Sequence, residues 1–293
     1  MNAGVELQSG KGHKDENFPV ASFVIAPRHR VAVMAFYRFA RFADDIADHP
    51  DAAPEEKLAL LEAMRATLAG ETDASPEALG LRQALAGREG LAVHGLDLLE
   101  AFRRDVTQTR YADWDALMGY CRYSAAPVGR FVLDVHGESR DLWPANDALC
   151  SALQVINHLQ DCAEDYRDLD RVYIPTDELK RAGTSAEALS ESHASPGLRR
   201  VITGVARGTA GLLDRSRPFA ARIKDGRLGY EVALIQRLAE SLTARLIRFD
   251  PLSERVHNRP LEIAGLALLA LGDRLAGRGR AEPRRALARG RAQ

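Results

Sequence analysis

The feature that most constrains the fold is a helical spacing of apolar residues along nearly the whole chain. Segments rich in Ala, Leu and Arg repeat apolar residues every three or four positions, and alternating β-branched runs are absent. Pro and Gly residues punctuate the segment ends. Helices are predicted over 28–47, 55–69, 76–86, 95–107, 113–136, 145–167, 198–223, 228–248 and 260–276, with a loop and one short helix over 168–197. The pattern predicts an all-α fold.

Neither a linker nor a repeat divides these segments. Stretches of Gly/Ser or Pro repeats, which would mark a flexible or stiff connection, do not occur between the predicted helices. We therefore predict one domain over residues 1–276. Residues 277–293, rich in Gly, Arg and Ala, are predicted to form a disordered basic C-terminal tail.

Charge and cysteine content exclude several classes of function. The 40 basic residues nearly balance the 41 acidic ones, so we expect no nucleic-acid partner. The three cysteines are widely spaced and lack a C-x-x-C pair, which indicates neither a disulfide framework nor a zinc site. The N-terminus lacks the apolar core of a signal peptide. We expect a cytoplasmic protein.

The first candidate site is an acidic stripe on the helix predicted over 28–47. Relative to Tyr37, a helix places Arg41 at about +40°, Asp44 at about −20° and Asp48 at about +20°. Apolar residues flank this stripe, so we expect it to face inward. Like charges four residues apart destabilise a helix by about 0.2–0.5 kcal/mol. Mg²⁺ would offset this repulsion, because it prefers oxygen ligands shared with phosphates. The alternative is a solvated acidic helix end.

A second stripe lies on the helix predicted over 145–167. With Gln154 at zero, Asn157, Asp161 and Asp165 fall at about −60°, −20° and +20°. Asn and Asp are mediocre helix formers, so helix propensity does not explain their alignment. Two facing stripes could hold several Mg²⁺ ions with a diphosphate between them. The alternative is that both stripes form structural salt bridges with arginines.

A short segment after the second stripe carries groups that suit phosphate binding. Arg171 and Tyr173 follow the carboxylates closely, in the sequence Arg-Val-Tyr-Ile-Pro. The planar guanidinium of arginine makes paired contacts with phosphate oxygens. We predict that this segment closes over the phosphate end of a substrate; the alternative is a set of plain surface arginines.

These motifs resemble those of the squalene/phytoene synthase family. Tyr37-x₃-Arg41-x₂-Asp44-x₃-Asp48 is similar to the family's first motif, and Gln154-x₂-Asn157-x₃-Asp161-x₃-Asp165 with Arg171 to Pro175 is similar to its second. Tyr120 lies where the family has a tyrosine on a kinked helix that lines the cavity. The resemblance covers about residues 17–275. It implies a single-domain isoprenoid-synthase helical bundle around a central apolar cavity.

The resemblance also implies roles for the motif residues. The implied catalytic residues are Tyr37, Arg41, Asp44, Asp48, Asp161 and Asp165. The implied ligands of several Mg²⁺ ions are Asp44, Asp48, Asn157, Asp161 and Asp165. The implied diphosphate contacts are Asn17, Arg41, Tyr120, Gln154, Arg171 and Tyr173, and Arg255 is a further candidate.

Details around the motifs favour one branch of the family. Asn17 stands where relatives place a serine, and Gln160 stands where they often place an arginine, so two phosphate contacts are altered. These residues and Ser124 to Pro127 resemble the corresponding residues of one branch of the family. Enzymes of that branch ionise presqualene diphosphate and let water capture the cation as hydroxysqualene. Which group orients or deprotonates that water stays open among Tyr37, Tyr120 and the leaving diphosphate.

The resemblance implies further partners and leaves two other activities open. A presqualene diphosphate synthase would supply the substrate, and a hydroxysqualene reductase would consume the product; no NADPH is expected. The first alternative is an enzyme that joins two prenyl diphosphates head to head into presqualene diphosphate, squalene or phytoene. The second is a non-enzymatic assembly factor of the same fold, although such a protein would have eroded acidic stripes.

The C-terminal segment has two interpretations. Residues 263–272 form an apolar run of about half the ~20 residues that a membrane span needs. Arginines dominate the chain that follows it. The segment is either the last core helix, which we favour, or a helix that docks peripherally on an anionic inner membrane.

Overall fold

The chain forms an α-helical structure, as predicted. The computed structural model describes residues 26–88 and 90–276, and within them the chain forms helices and one isolated parallel β-bridge. Asn17 and the predicted tail 277–293 lie outside the described residues, and the domain limits stay a prediction. The helices are α1 (Pro27–Asp48), α2 (Pro54–Leu68), α3 (Pro76–Ala84), α4 (Ala92–Thr107), α5 (Trp114–Ser124), α6 (Ala126–Val135), α7 (Trp143–Gln160), α8 (Cys162–Leu169), α9 (Thr176–Arg181), α10 (Pro196–Ser216), α11 (Phe219–Arg222), α12 (Gly226–Arg248) and α13 (Pro260–Ala276).

Local sequence explains where many of these helices begin. Proline occupies the first turn of α1, α2, α3 and α10, where its missing N–H costs no helical hydrogen bond. Side-chain oxygens satisfy free N–H groups at other helix starts. Asp113 accepts from Ala116 N–H at 2.8 Å before α5, and Asp225 accepts from Leu228 N–H at 3.0 Å before α12.

Three predicted helices are divided in the structure, so their predicted extents are wrong. The segment 113–136 breaks at Ala125, because Pro127 in the first turn of α6 cannot donate the hydrogen bond that would continue α5. The segment 145–167 breaks at Asp161, between α7 and α8. The segment 198–223 breaks after Ser216, just before Pro218.

The buried residues form two apolar clusters. The first core is built from α1 to α4 with one side of α6, around Phe39, Leu61 and Phe131. The second core is built mainly from α5, α7, α10 and α12, around Leu117 and Ile156. Helices α4 and α6 contribute to both cores. The first acidic stripe belongs to the first core and the second stripe to the second, so the two stripes lie on different packing units.

The segment after α8 is held by the segment before α5. Asp170 closes α8 in the left-handed conformation, with φ of 49°, and its carboxylate pairs with Arg110 at 2.5 Å. Val172 N–H donates to the carbonyl of Thr109 at 2.9 Å, and Thr176 N–H donates to the carbonyl of Tyr111 at 2.9 Å. These contacts fix the backbone that carries Arg171 and Tyr173.

Candidate active site

The first stripe lies on the last turns of α1 in a partly open recess. Arg41 donates to Asp44 at 2.8 Å and to Asp45 at 3.2 Å. The side chains of Asp44 and Asp48 are 38% and 37% exposed, while Phe39, on the opposite face, is buried. The stripe is therefore partly exposed to solvent and does not face fully inward, as the sequence had predicted that it would. Tyr37 lies half-buried one turn before Arg41.

The electrostatic environment of the first stripe is unfavourable to two bare carboxylates. Although Asp44 is partly accessible, it lies in a crowded recess beside Asp48. Burial, and then repulsion from Asp48, raise the pKa of Asp44 to about 7, against the opposing effect of Arg41. A positive group beyond Arg41 would therefore stabilise the ionised pair.

The second stripe keeps its register across the break at Asp161. Asp161 N–H donates to the carbonyl of Asn157 at 2.9 Å, and Asp165 N–H donates to the carbonyl of Asp161 at 2.8 Å. The three side chains therefore stay one turn apart. Asp161 is exposed, whereas Asn157 and Asp165 are half-buried. The side-chain amide of Gln160 donates to the carbonyl of Val256.

Arg171 joins the two packing units. Its Nη1 donates to Asp48 at 2.5 Å, its Nη2 to the carbonyl of Ala47 at 3.1 Å, and its Nε to the carbonyl of Asp105 at 3.1 Å. The salt-bridge alternative is thus realised in part for the first stripe, because Asp44 and Asp48 each have an arginine partner. The predicted diphosphate contact of Arg171 stays a prediction and requires one of these bonds to be exchanged.

A buried cluster of aromatic and acidic side chains lies beside Arg171. This aromatic cluster consists of Asp105, Tyr111, Tyr120, His158 and Tyr173. Tyr120 donates to Asp105 Oδ2 at 2.9 Å, and Tyr173 donates to Asp105 Oδ1 at 3.1 Å. The rings of His158 and Tyr173 are stacked with centroids 3.4 Å apart, and those of Tyr111 and Tyr173 are stacked at 5.5 Å.

The aromatic cluster touches the second stripe through His158. The amide nitrogen of Gln154 lies 3.1 Å from His158 Nε2, and Asp165 Oδ2 lies 3.9 Å from His158 Nδ1. Burial raises the pKa of Asp105 to about 6, opposed by Arg171 and the tyrosine hydroxyls. Burial and then Asp105 raise the pKa values of Tyr120 and Tyr173 well above the usual value for tyrosine. Both tyrosines are therefore neutral near pH 7.

Asp105 is the member of this site that the sequence analysis missed. It lies on α4 in the same register as the buried residues Leu98 and Ala101, at intervals of seven and four. A carboxylate on the apolar face of a helix is the signal that could have identified it, since an ionised group is seldom buried without partners. His158, the neighbour of Asn157 in the sequence, lies buried against Tyr173.

A small cavity with a basic lining lies beside the carbonyl that Gln160 contacts. Its volume is about 150 Å³, and Arg255, Val256 and Arg259 are among its lining residues. This cavity is far too small for two isoprenoid chains, and its lining is largely polar. The apolar chamber that the family resemblance implies therefore stays a prediction, as does a role for Arg255.

The stripes suit a metal that is shared with a substrate. Between residues 26 and 276, Glu89 apart, no three His, Cys, Asp or Glu side chains are close enough to hold a metal ion by themselves. The donors are nevertheless carboxylate and amide oxygens, the ligands that Mg²⁺ prefers, and the crowding of Asp44 and Asp48 favours an added cation. The residues fit Mg²⁺ that is completed by phosphate oxygens, and do not form an all-protein cage.

The chain is similar to several known proteins. The chain is 60% identical over 277 residues to a hydroxysqualene synthase from Zymomonas mobilis, covering 94% of this chain and 93% of the relative. It is 55% identical to one from Rhodopseudomonas palustris, covering 89% and 90%.

Solved structures show the same fold. The squalene synthase HpnC from Alicyclobacillus acidocaldarius superposes with a TM-score of 0.70 at 31% identity, covering 80% of this chain and 90% of that one. A dehydrosqualene synthase superposes with a TM-score of 0.71 at 20% identity, covering 89% and 92%. The sequence profile of the squalene/phytoene synthase family matches residues 11–262. The chain is therefore an enzyme of the squalene/phytoene synthase family.

Proposed function

We propose that the chain ionises presqualene diphosphate and lets water capture the rearranged carbocation, so that it releases hydroxysqualene and diphosphate. The observation that supports this most strongly is the 60% identity, over 94% of the chain, to a hydroxysqualene synthase. The two intact acidic stripes agree with diphosphate chemistry. They also argue against an assembly factor that has kept only the fold.

The acidic stripes would hold the metal. Asp44 and Asp48 on α1 would hold Mg²⁺ together with Asn157, Asp161 and Asp165 of the second stripe. When bound, Mg²⁺ would neutralise the charge that develops on the departing diphosphate. Arg41, which contacts Asp44, would bind the same phosphate oxygens.

Arg171 would change partners when substrate binds. Its Nη1 now donates to Asp48, which is a candidate metal ligand. Release of this nitrogen from Asp48 would let it donate to a diphosphate oxygen. The bonds from Nε and Nη2 to backbone carbonyls would hold the guanidinium in place during the exchange.

The chemistry implies two neighbouring enzymes and no nicotinamide. The substrate is a cyclopropylmethyl diphosphate, which an enzyme that joins two prenyl diphosphates must supply. The product is an alcohol, and a reductase would remove its hydroxyl group. Ionisation followed by water capture transfers no hydride, so we propose that NADPH is not required.

A two-substrate assay tests the proposed reaction. The purified protein is incubated separately with farnesyl diphosphate and with presqualene diphosphate, with Mg²⁺ and without NADPH. We expect hydroxysqualene from presqualene diphosphate and no product from farnesyl diphosphate. Formation of presqualene diphosphate from farnesyl diphosphate would instead support the head-to-head condensing activity and overturn our proposal.

Helix α13 supports a second proposal, that the protein docks peripherally on an anionic membrane. No helix in the described part of the chain is long and apolar enough to cross a bilayer. One side of α13 packs on α12, where Ala270 is buried, but Leu261 is 89% exposed and Leu268 is 72% exposed. Arginine-rich sequence follows this exposed face, and basic residues beside an apolar face favour anionic lipid.

Vesicle flotation tests this docking. Replacing Leu261 and Leu268 with Gln should reduce recovery on phosphatidylglycerol vesicles, because the variant has less apolar surface to bury. The matched control is Val31→Gln on α1, which alters an exposed apolar residue elsewhere and should float like wild type. Equal recovery of wild type and the double variant would show that α13 is only a last packed helix.

A further inference from the structure

The carboxylate of Asp105 is the shared acceptor of two buried hydroxyl groups. Tyr120 comes from α5 and Tyr173 from the segment after α8, and each donates to a different oxygen of Asp105, at 2.9 and 3.1 Å. Asp105 itself is only 7% exposed. The backbone carbonyl of Asp105 also accepts from Arg171. One residue of α4 thus contacts three residues that the family motifs single out.

These hydrogen bonds determine what the two tyrosines can do toward another molecule. A neutral phenol has one proton to donate and lone pairs with which to accept. Because Tyr120 and Tyr173 each direct a proton at Asp105, the remaining lone pairs of their oxygens can serve a further neighbour only as acceptors. Diphosphate oxygens are themselves acceptors and gain nothing from such a partner, whereas a water molecule can donate to it.

We propose that Asp105 is a positioning residue that makes Tyr120 and Tyr173 hydrogen-bond acceptors for the water that captures the carbocation. This inference rests on the proposed function, since it assigns the group that orients the water in that reaction. It also replaces the diphosphate contacts that the family resemblance implies for the two tyrosines. Asp105 acts through them and does not touch the substrate.

The capture step balances with these groups alone. The water oxygen gives a lone pair to the carbocation and forms the new C–O bond. One water proton moves to a tyrosine oxygen, while the proton of that tyrosine moves to Asp105. The positive charge of the carbocation thus leaves as one proton, which the carboxylic acid of Asp105 returns to solvent. No oxidant or reductant is needed.

The surrounding contacts hold the tyrosine oxygens in place. The ring of Tyr173 is stacked with the ring of His158 and with the ring of Tyr111. Tyr120 contacts the ring of Tyr173 with centroids 5.4 Å apart. Burial that raises the pKa of Asp105 to about 6 also suits a group that must take up a proton and release it near neutral pH.

The decisive variant is Asp105→Asn, assayed with presqualene diphosphate and Mg²⁺ for both diphosphate release and hydroxysqualene. The amide can donate to one tyrosine oxygen, so that the proton of this tyrosine is no longer committed. We expect the ratio of hydroxysqualene formed to diphosphate released to fall by about tenfold or more. A positioned proton acceptor contributes about a hundredfold or more to the rate of a proton-transfer step. Diphosphate release should continue, with other isoprenoid products replacing hydroxysqualene.

Tyr111→Phe is the matched control. Tyr111 belongs to the same aromatic cluster, but its hydroxyl has no hydrogen-bond partner among the described residues. We expect this variant to keep the wild-type product ratio. A purely structural role for Asp105 would lower diphosphate release and hydroxysqualene in parallel, and that result would overturn the inference.

A second pair of variants covers loss of folding. If circular dichroism shows that Asp105→Asn is unfolded, Tyr120→Phe and Tyr173→Phe remove the acceptors while keeping Asp105. At least one of them must shift the product ratio, and unchanged ratios in both would overturn the inference. Failure of the proposed function is distinguishable, because wild-type protein would then form no hydroxysqualene from presqualene diphosphate.

Discussion

Individual buried polar residues make the stability of this protein sensitive to pH. His94 on α4 is 1% exposed, and its Nε2 lies 3.1 Å from Asp134 Oδ2. Its ring makes T-shaped contacts with the rings of Phe131 and Trp143. Burial lowers the pKa of His94 below its ordinary value of 6.5, although Asp134 acts in the opposite direction. The neutral imidazole is therefore the form that the folded protein favours.

This shift predicts a loss of stability in acid that depends on His94. Below about pH 6.5 the unfolded chain protonates this histidine while the folded protein resists protonation, so the free energy of unfolding falls as the pH falls. His94→Gln removes that contribution. We expect the variant to show a flatter dependence between about pH 7 and pH 5 in urea unfolding than wild type does.

The control is His193→Gln, because His193 is exposed in the segment between α9 and α10. It should reproduce the wild-type pH dependence. If His94→Gln loses stability in acid as steeply as wild type, the neutral buried form of His94 is not the cause.

The sequence predicted the residues that lie at regular helical spacings, but it did not predict Asp105, whose partners come from distant segments. Asp44 and Asp48, like Asp161 and Asp165, share a face because they lie four residues apart on one chain segment. Asp105 has no such partner nearby in sequence, and its neighbours come from α5 and from the segment after α8. Contacts between distant segments depend on tertiary packing, which helical periodicity does not encode.

Among the helices, α6 and α7 make an unusually close approach at Gly129. A Cβ atom there would lie 2.0 Å from Asn146 Oδ1 and 2.6 Å from Cys150 Sγ. Asn146 is 2% exposed and donates to the carbonyl of Ala126 at 3.3 Å, so it has little freedom to move. The contact between these two helices therefore requires glycine.

Gly129→Ala should destabilise the protein by about 1–3 kcal/mol, the usual cost of forcing extra volume into a packed interface. Gly119→Ala on α5 is the matched control, because a Cβ there meets nothing within 4 Å. We expect the control to gain about 0.5–1 kcal/mol from reduced chain entropy. Urea unfolding measures both changes, and equal effects of the two substitutions would contradict the close approach.

The helices were predictable in type and position but not in continuity. Pro127 signals the break at Ala125, and the apolar periodicity around it concealed this signal. No Pro or Gly marks the break at Asp161, where φ and ψ are −99° and 5°. The i to i+4 hydrogen bonds of Asn157 and Asp165 continue across it. The side chains of the second stripe therefore stay one turn apart, although the predicted helix is divided into α7 and α8.

At the scale of the whole molecule, the candidate site spans two packing units. The first stripe belongs to the core around Phe39, and the second belongs to the core around Ile156. Arg171 connects them through Asp48. A ligand that contacts both stripes should therefore stabilise the assembly of the two cores, because it binds the folded protein and not the unfolded chain.

This arrangement predicts a cooperative effect of metal and diphosphate on melting. Mg²⁺ with inorganic diphosphate should raise the melting temperature more than either alone, since each completes the binding site of the other. A ligand at a hundred times its dissociation constant stabilises a protein by about 2.7 kcal/mol. Differential scanning fluorimetry measures the shift.

Asp44→Asn should abolish this shift and turnover, while leaving the melting temperature of the free protein nearly unchanged. Asp51→Asn, at an exposed position just beyond α1, should behave like wild type. Full retention of the shift and of turnover in Asp44→Asn would remove Asp44 from the metal-binding hypothesis.

The ion pair between Arg110 and Asp170 has a consequence for the design of chimeric enzymes. Residues 109–112 hold the backbone of residues 170–176 through Val172, Thr176 and this ion pair. A graft that exchanged the second motif and its following segment alone would leave Arg171 and Tyr173 on a backbone whose anchor came from another protein. The smallest transferable module is therefore discontinuous, and recombination points that separate its two pieces should yield folded but poorly active hybrids.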